Sequence, residues 1–250
     1  MSVRLERDGA IGRLLIDRPA RRNAMTQAMW EAVPALVAEA VADPAIRVVV
    51  LQSAVGGMFC AGADIGELLN NRDDAAWRAA NQAAINAAQY ALARAAKPLI
   101  AFVDGDAVGG GCGLALAADI RLATPRARLG ITPAKLGLVY PLHDTKLLVD
   151  LVGPGQAKRL LFTGELLSAE EALAVGLIEL IGDSADPLAV RIAALSVYST
   201  HGVKQFVRRV LDGQAEDDAD TLAVFAEAFL GPDFAEGTAA FLAKRKPEFG

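Results

Sequence analysis

Apolar and polar positions alternate from residue 3 to residue 16, broken only by the pair Asp8-Gly9, which predicts a β-hairpin turning at that pair. From Thr26 the period becomes helical. Met29, Val33, Leu36, Val37 and Ala40 share one face, Thr26 is a capping residue type, and Asp43-Pro44 closes the segment. Residues 46–52 (IRVVVLQ) read as a buried strand, and so do residues 99–103, after the Pro98 that ends an alanine-rich helix over 75–94. Each strand runs into a glycine-rich loop, at 56–62 and at 105–113, and the second loop opens a helix ending near Ala118. Short strands are expected at 120–123 and 128–131. Beyond Asp144 the pattern is helical, with helices at 145–151, 155–162, 169–175, 187–199, 203–211, 219–230 and 235–244. The reading is α/β for the first two-thirds and all-helical for the last third, with the division placed between 1–185 and 186–250.

Composition narrows the partners. The chain of 250 residues is 53% hydrophobic and 22% charged, which supports a packed core and excludes a disordered chain. A net charge of −5 disfavours nucleic acid as a partner, since a phosphate backbone calls for a basic face. Two cysteines, Cys60 and Cys112, make no disulfide framework and fit a reducing, cytoplasmic setting. The apolar runs are too short for a membrane span, and no membrane partner is expected. With two histidines and neither HExxH nor CxxC, no metal site is expected, and no GxSxG marks a serine nucleophile.

The two glycine loops offer candidate chemistry. Glycine lets the backbone approach closely, and the unpaired N–H groups at a helix start favour an anion. Two such places side by side could hold an oxyanion between two N–H donors, whereas singly each is an ordinary tight turn. Neither loop has the GxxxxGK[ST] spacing of a phosphate loop or the pattern of a dinucleotide fingerprint.

Residues Phe59 to Ile65 (FCAGADI) resemble the FxAGxD segment of the enoyl-CoA hydratase/isomerase, or crotonase, family, and Lys97-Pro98 with Gly109-Gly110-Gly111-Cys112 resembles its KP…GGG segment. The likeness extends in order along the chain. It includes Asp17-Arg18-Pro19 with Asn23-Ala24, then Leu116 to Arg121 (LAADIR), Leu136-Gly137-Leu138, Phe162-Thr163-Gly164, and Phe241 to Lys246 before Pro247. The resemblance implies a spiral of ββα turns followed by a helical C-terminal region that assembles trimers or dimers of trimers. It also implies an acyl-CoA substrate, with no permanently bound cofactor and coenzyme A present only as part of the substrate. The family's two backbone oxyanion donors fall on Ala63 and Gly110. Its CoA-binding backbone falls on Ala61, Asp64 and Ile65, and its phosphate partners on Arg22 and Lys244. The alternative for Arg22 and Lys244 is a solvated charged surface.

The chain departs from the family hydratases where their two catalytic glutamates stand, having Gly113 and Pro133 there. The aspartate nucleophile of family dehalogenases would fall on Pro141. The segment from Thr132 to Tyr140 is instead similar to the TPxxLGxxY segment of methylmalonyl-CoA decarboxylases in the family, which puts Thr132 and Tyr140 at the reacting end. The family decarboxylase carries histidine where this chain has Ala63. Loss of CO2 makes the enolate without a general base, so decarboxylation of a malonyl-type CoA is the leading expectation. A hydratase or isomerase that replaces the glutamates with His143, Asp144 or Glu67 is the second. An acyl-CoA-binding paralogue with weak catalysis is the third. His143 and Asp144 could equally form a helix start, with Asp144 as its cap.

Overall fold

The alternation at the N-terminus becomes a hairpin in the computed structural model, which describes residues 2–250. β1 (Ser2–Asp8) pairs antiparallel with β2 (Ile11–Asp17), and Gly9 takes a positive φ of 58° in the turn. The helix that follows is α1 (Gln27–Ala42), capped by the Thr26 hydroxyl, which accepts from Met29 N at 3.3 Å. Its buried stripe of Met29, Trp30, Val33, Val37 and Ala40 faces the core.

The chain then repeats one unit. β3 (Val48–Ser53) leads to the short β4 (Met58–Cys60) and to α2 (Ile65–Asn70) and α3 (Ala75–Ala93). β5 (Leu99–Val103) leads to β6 (Asp106–Val108) and α4 (Gly110–Leu116), and β7 (Ile120–Ala123) leads to β8 (Arg128–Gly130) and α5 (Leu142–Thr163). The first strand of each unit joins one sheet and the second joins another, in each case parallel to its equivalent in the preceding turn. With β9 (Leu167–Ser168), α6 (Ala169–Ala174) and β10 (Leu180–Ile181), the sheets have the orders β1-β2-β3-β5-β7-β10 and β4-β6-β8-β9. This is the expected spiral of ββα turns. The second sheet is hidden in the sequence, because two of its strands are three-residue pieces inside the glycine loops.

Two other boundaries differ from the sequence pattern. The helices expected at 145–151 and 155–162 follow one another within α5, separated where Gly153 leaves helical geometry at φ 71° and ψ 168° ahead of Pro154. It starts at Leu142 with Pro141 in the capping position, so Asp144 is a buried residue of the first turn and not a cap. In the last third, α7 (Asp186–Ala193) ends early. Ser196 then caps α8 (Val197–Leu211) by accepting from Ser199 N at 3.1 Å, a break the continuous pattern over 187–199 conceals. α9 (Ala219–Leu230) and α10 (Pro232–Leu242) complete the chain.

The main core is continuous from α1 through the sheets to α5 and α6, while α7 seals the outer face of the large sheet over Ile11, Val48, Val50 and Ile100. Among the described residues no helix is long and apolar enough to cross a membrane, and no group of three metal-ligating side chains occurs.

Candidate active site

Asn23 ties the first glycine loop down. It is buried, sits at a positive φ of 57°, and donates to Ser53 Oγ at 2.7 Å, Met58 O at 3.0 Å and Phe59 O at 3.1 Å. Its Oδ1 accepts from Arg18 N at 2.9 Å. Arg18 then reaches Asp64 Oδ2 at 2.6 Å and the Ala24 carbonyl at 2.8 Å. Asp64 caps α2 by accepting from Glu67 N at 3.1 Å, and the Arg18 guanidinium holds its carboxyl below the usual carboxylate range. The side chain of Asp64 is therefore committed to the scaffold, and its carbonyl accepts from Leu68 N at 3.0 Å.

Between these anchors Met25 forms a bridge with Ala63. Met25 N donates to Gly62 O at 2.8 Å, and Asp64 N donates to Met25 O at 2.9 Å. Both bonds belong to the neighbours of Ala63, so the Ala63 N–H stays outside the ladder. Across from it, α4 begins at Gly110, whose N–H is one of the unpaired donors of a helix start.

The two loops meet backbone to backbone. Gly62 has φ 97°, and a Cβ there would stand 2.7 Å from Val108 O and 3.3 Å from Gly110 N. A Cβ on Gly111 would collide with Cys60 O at 2.2 Å. The point where a Cβ of Gly110 would stand is 3.7 Å from Ala63 N and 3.3 Å from the indole ring of the fully buried Trp30. The two predicted donors are thus neighbours, backed by an aromatic wall. Only glycine permits the contact.

The third wall comes from the segment between β8 and α5. Thr132 is half-buried, and its Oγ1 lies 3.7 Å from where a Cβ of Gly109 would be, directly beside the second loop. Pro133 opens a short 3₁₀ turn. The chain then returns with Tyr140 over α4. A Cβ on Gly113 would lie 3.1 Å from Tyr140 Oη, 3.3 Å from Asp144 Oδ1 and 2.6 Å from Gln89 Nε2. The space of the absent glutamate is therefore filled by side chains from α3, from the Tyr140 segment and from α5. Burial pushes the Tyr140 hydroxyl well above its ordinary range, reinforced by Asp144 and Cys112, and burial likewise raises Asp144. His143 is half-buried beside Asp144 at the start of α5.

The remaining predicted residues divide. Arg22 is exposed at a positive φ of 53°. Its carbonyl accepts from Ala61 N at 3.0 Å, and its guanidinium stands 3.8 Å from Asp106. Ile65 is exposed at the start of α2. Ala61, Asp64, Ile65 and Arg22 thus form one rim. Lys244 lies elsewhere, on the exposed turn after α10. Glu67 is occupied, since its Oε2 accepts from Gln27 N at 2.8 Å and so serves the start of α1. Burial raises the Cys112 thiol to about 12, which leaves it a packing residue.

Sequence reasoning missed Trp30 and Gln89. Trp30 lies next to Met29 of the expected stripe and reads as core. Gln89 is a polar residue in an alanine-rich helix, and nothing in its neighbours marks the buried carboxyl it meets.

Comparison with known proteins places this geometry. The profile for enoyl-CoA hydratase/isomerase matches residues 6–250. The crotonyl-CoA hydratase of Syntrophomonas wolfei is 31% identical, over 99% of this chain and 97% of its own. The short-chain-enoyl-CoA hydratase of Clostridium acetobutylicum is also 31% identical, with the same coverage. Among solved structures, an enoyl-CoA hydratase/isomerase family protein from Hyphomonas neptunium superposes with a TM-score of 0.95. It has 38% identity over 99% of this chain and 97% of that one.

Proposed function

The chain belongs to the enoyl-CoA hydratase/isomerase family, and from that premise we propose that this acyl-CoA enzyme decarboxylates a malonyl-type thioester. In this reading the Ala63 and Gly110 N–H groups receive the thioester oxygen, and the acyl end points toward Thr132 and Tyr140. The observation that carries it is the filled space at Gly113. Neither hydratase glutamate is present, and side chains crowd the position where the first would stand, with Gln89 Nε2 2.6 Å from a Cβ there.

A malonyl-type thioester needs no base, because breaking the Cα–carboxylate bond leaves the electron pair on Cα and the thioester oxygen. Donors aimed at that oxygen lower the barrier, and loss of one such donor typically costs about 10²–10³ in rate. The enolate then needs one proton at Cα, which the Tyr140 hydroxyl supplies. The CoA body runs along Ala61, Asp64 and Ile65 with Arg22 on a phosphate. Lys244 serves the same CoA from a neighbouring subunit of a trimer or dimer of trimers, assembled through residues 186–250 in the cytoplasm.

A second reading is hydration or isomerisation of a 2-enoyl thioester. It is favoured by the relatives named as hydratases and by the carboxyl of Asp144 next to Gly113. Turnover of methylmalonyl-CoA and crotonyl-CoA by the purified protein separates the two. We expect CO2 release from the first, reduced at least ~10²-fold in Tyr140→Phe. Hydration of crotonyl-CoA at a higher rate, with no CO2 release, rejects the decarboxylase reading.

A further inference from the structure

Beside α4 lies a group of buried polar atoms that the oxyanion site does not account for. Gln89 Oε1, Tyr140 Oη, Asp144 Oδ2 and His143 Nε2 are all buried without a hydrogen-bond partner, although leaving such groups unpaired is costly. Asp144 itself is 2% exposed, and its Oδ1 accepts from Gln89 Nε2. Three side chains from three separate segments converge on the one face of α4 where Gly113 has none. A structural role alone would be met more cheaply by apolar residues of the same size, since a partly satisfied buried network is costly.

We infer that Asp144, held by Gln89, is the positioning acid for Tyr140 and supplies from α5 the carboxyl function that position 113 lacks. The inference rests on the acyl-CoA enolate reading above, and it deepens that reading with a proton source.

The relay balances. The Tyr140 O–H bond breaks, its proton forms the new C–H bond at Cα, and the electron pair stays on the phenolic oxygen. Tyr140 Oη and the Asp144 carboxyl converge on one point beside Gly113 without a hydrogen bond between them, so binding of the acyl end closes that gap before the phenolic oxygen takes the Asp144 proton, and Asp144 regains a proton from solvent once product leaves. The same delivery to Cα would complete hydration of a 2-enoyl thioester, so the relay does not depend on which reaction produced the enolate. Burial raises both the Asp144 carboxyl and the Tyr140 hydroxyl above their ordinary ranges, which is the direction proton donors require. The ionisable groups facing the pair are Cys112 from α4 and His143 from α5, while α3 contributes the neutral Gln89.

The test measures binding of methylmalonyl-CoA and crotonyl-CoA by calorimetry and the pH dependence of kcat on each, for wild type and variants. With Asp144 acting as an acid, kcat of the wild type falls as pH rises through its raised value. Asp144→Asn should lose at least ~10-fold in kcat, keep its acyl-CoA Kd, and lose that alkaline limb. The Gln89 N–H favours the carboxylate form, so Gln89→Leu should move the limb to higher pH, a shift that a purely structural role would not produce and that is readable even where Asp144→Asn folds poorly. Tyr140→Phe with Asp144→Asn should be no slower than Tyr140→Phe alone, because both act in one chain. An unchanged limb in both Asp144→Asn and Gln89→Leu, or losses that multiply in the double variant, would overturn the relay while leaving the acyl-CoA reading in place. A wild type that binds no acyl-CoA would overturn both.

Discussion

At the scale of single residues, Asp144 separates stability from activity. Burial raises its carboxyl, so the folded state favours the protonated form. A group of this kind stabilises the fold fully below the pKa of the unfolded chain, about 3.9, and that contribution is lost as pH rises through the raised folded value. Near neutrality the wild type therefore carries an ionisation burden that Asp144→Asn removes. The variant should melt at or above the wild-type temperature at pH 7, and the difference should shrink as pH falls toward 4. Thermal melts of both proteins across that range check it, and a variant that is less stable at every pH would show that Asp144 is held as a carboxylate. Lower activity joined to equal or higher stability is the pattern expected of a residue kept for chemistry.

At the scale of elements, the site depends on how the loops are pinned. The glycines and the FxAGxD and GGG segments make the two meeting loops legible in the sequence, because close backbone approach leaves few residue choices. Asn23 was legible only as part of a motif, yet its side chain joins Ser53, Met58 and Phe59 to Arg18. Asn23→Ala leaves several buried partners unpaired and should cost at least ~2 kcal/mol in urea unfolding. It should also raise KM for the acyl-CoA, since Ala61 and Ala63 hang from the same segment. Unchanged stability and KM would assign the loop geometry to the Arg18–Asp64 pair instead. The third wall was less readable. Tyr140 and Thr132 could be named from their segment, but the convergence of Gln89 and Asp144 on Gly113 joins positions 55 residues apart, and α5 starts three residues before the expected helix. Pro141 explains that early start, since proline at a helix entrance sets φ without losing a needed donor. β4 and β6 escaped for another reason: they are three-residue strands enclosed in glycine-rich loops, whose turn residues mask them.

At the scale of the whole molecule, the chain leaves more apolar surface uncovered than its core explains. Leu230 is 88% exposed, and Phe241 and Leu242 are each 81% exposed at the end of α10. Phe225 and Phe229 on α9 and Val203, Val207 and Val210 on α8 are exposed as well. A second exposed set, Leu138, Val139 and Leu142, flanks Tyr140, at the reacting end in the proposed function. Apolar patches of this extent on one molecule mark surfaces that a partner covers, and cyclic assemblies of identical chains are the common solution. Water at the Tyr140 end would also screen the donors on which enolate stabilisation depends. If assembly covers both sets, association and turnover are coupled. Sedimentation of the wild type should give three or six times the chain mass of 26.1 kDa. Phe241→Ser with Leu242→Ser should shift the protein toward monomer and lower kcat together, although neither residue belongs to the α4 cluster. Turnover that stays constant while the protein is diluted from assembly to monomer would show instead that each chain closes its own site.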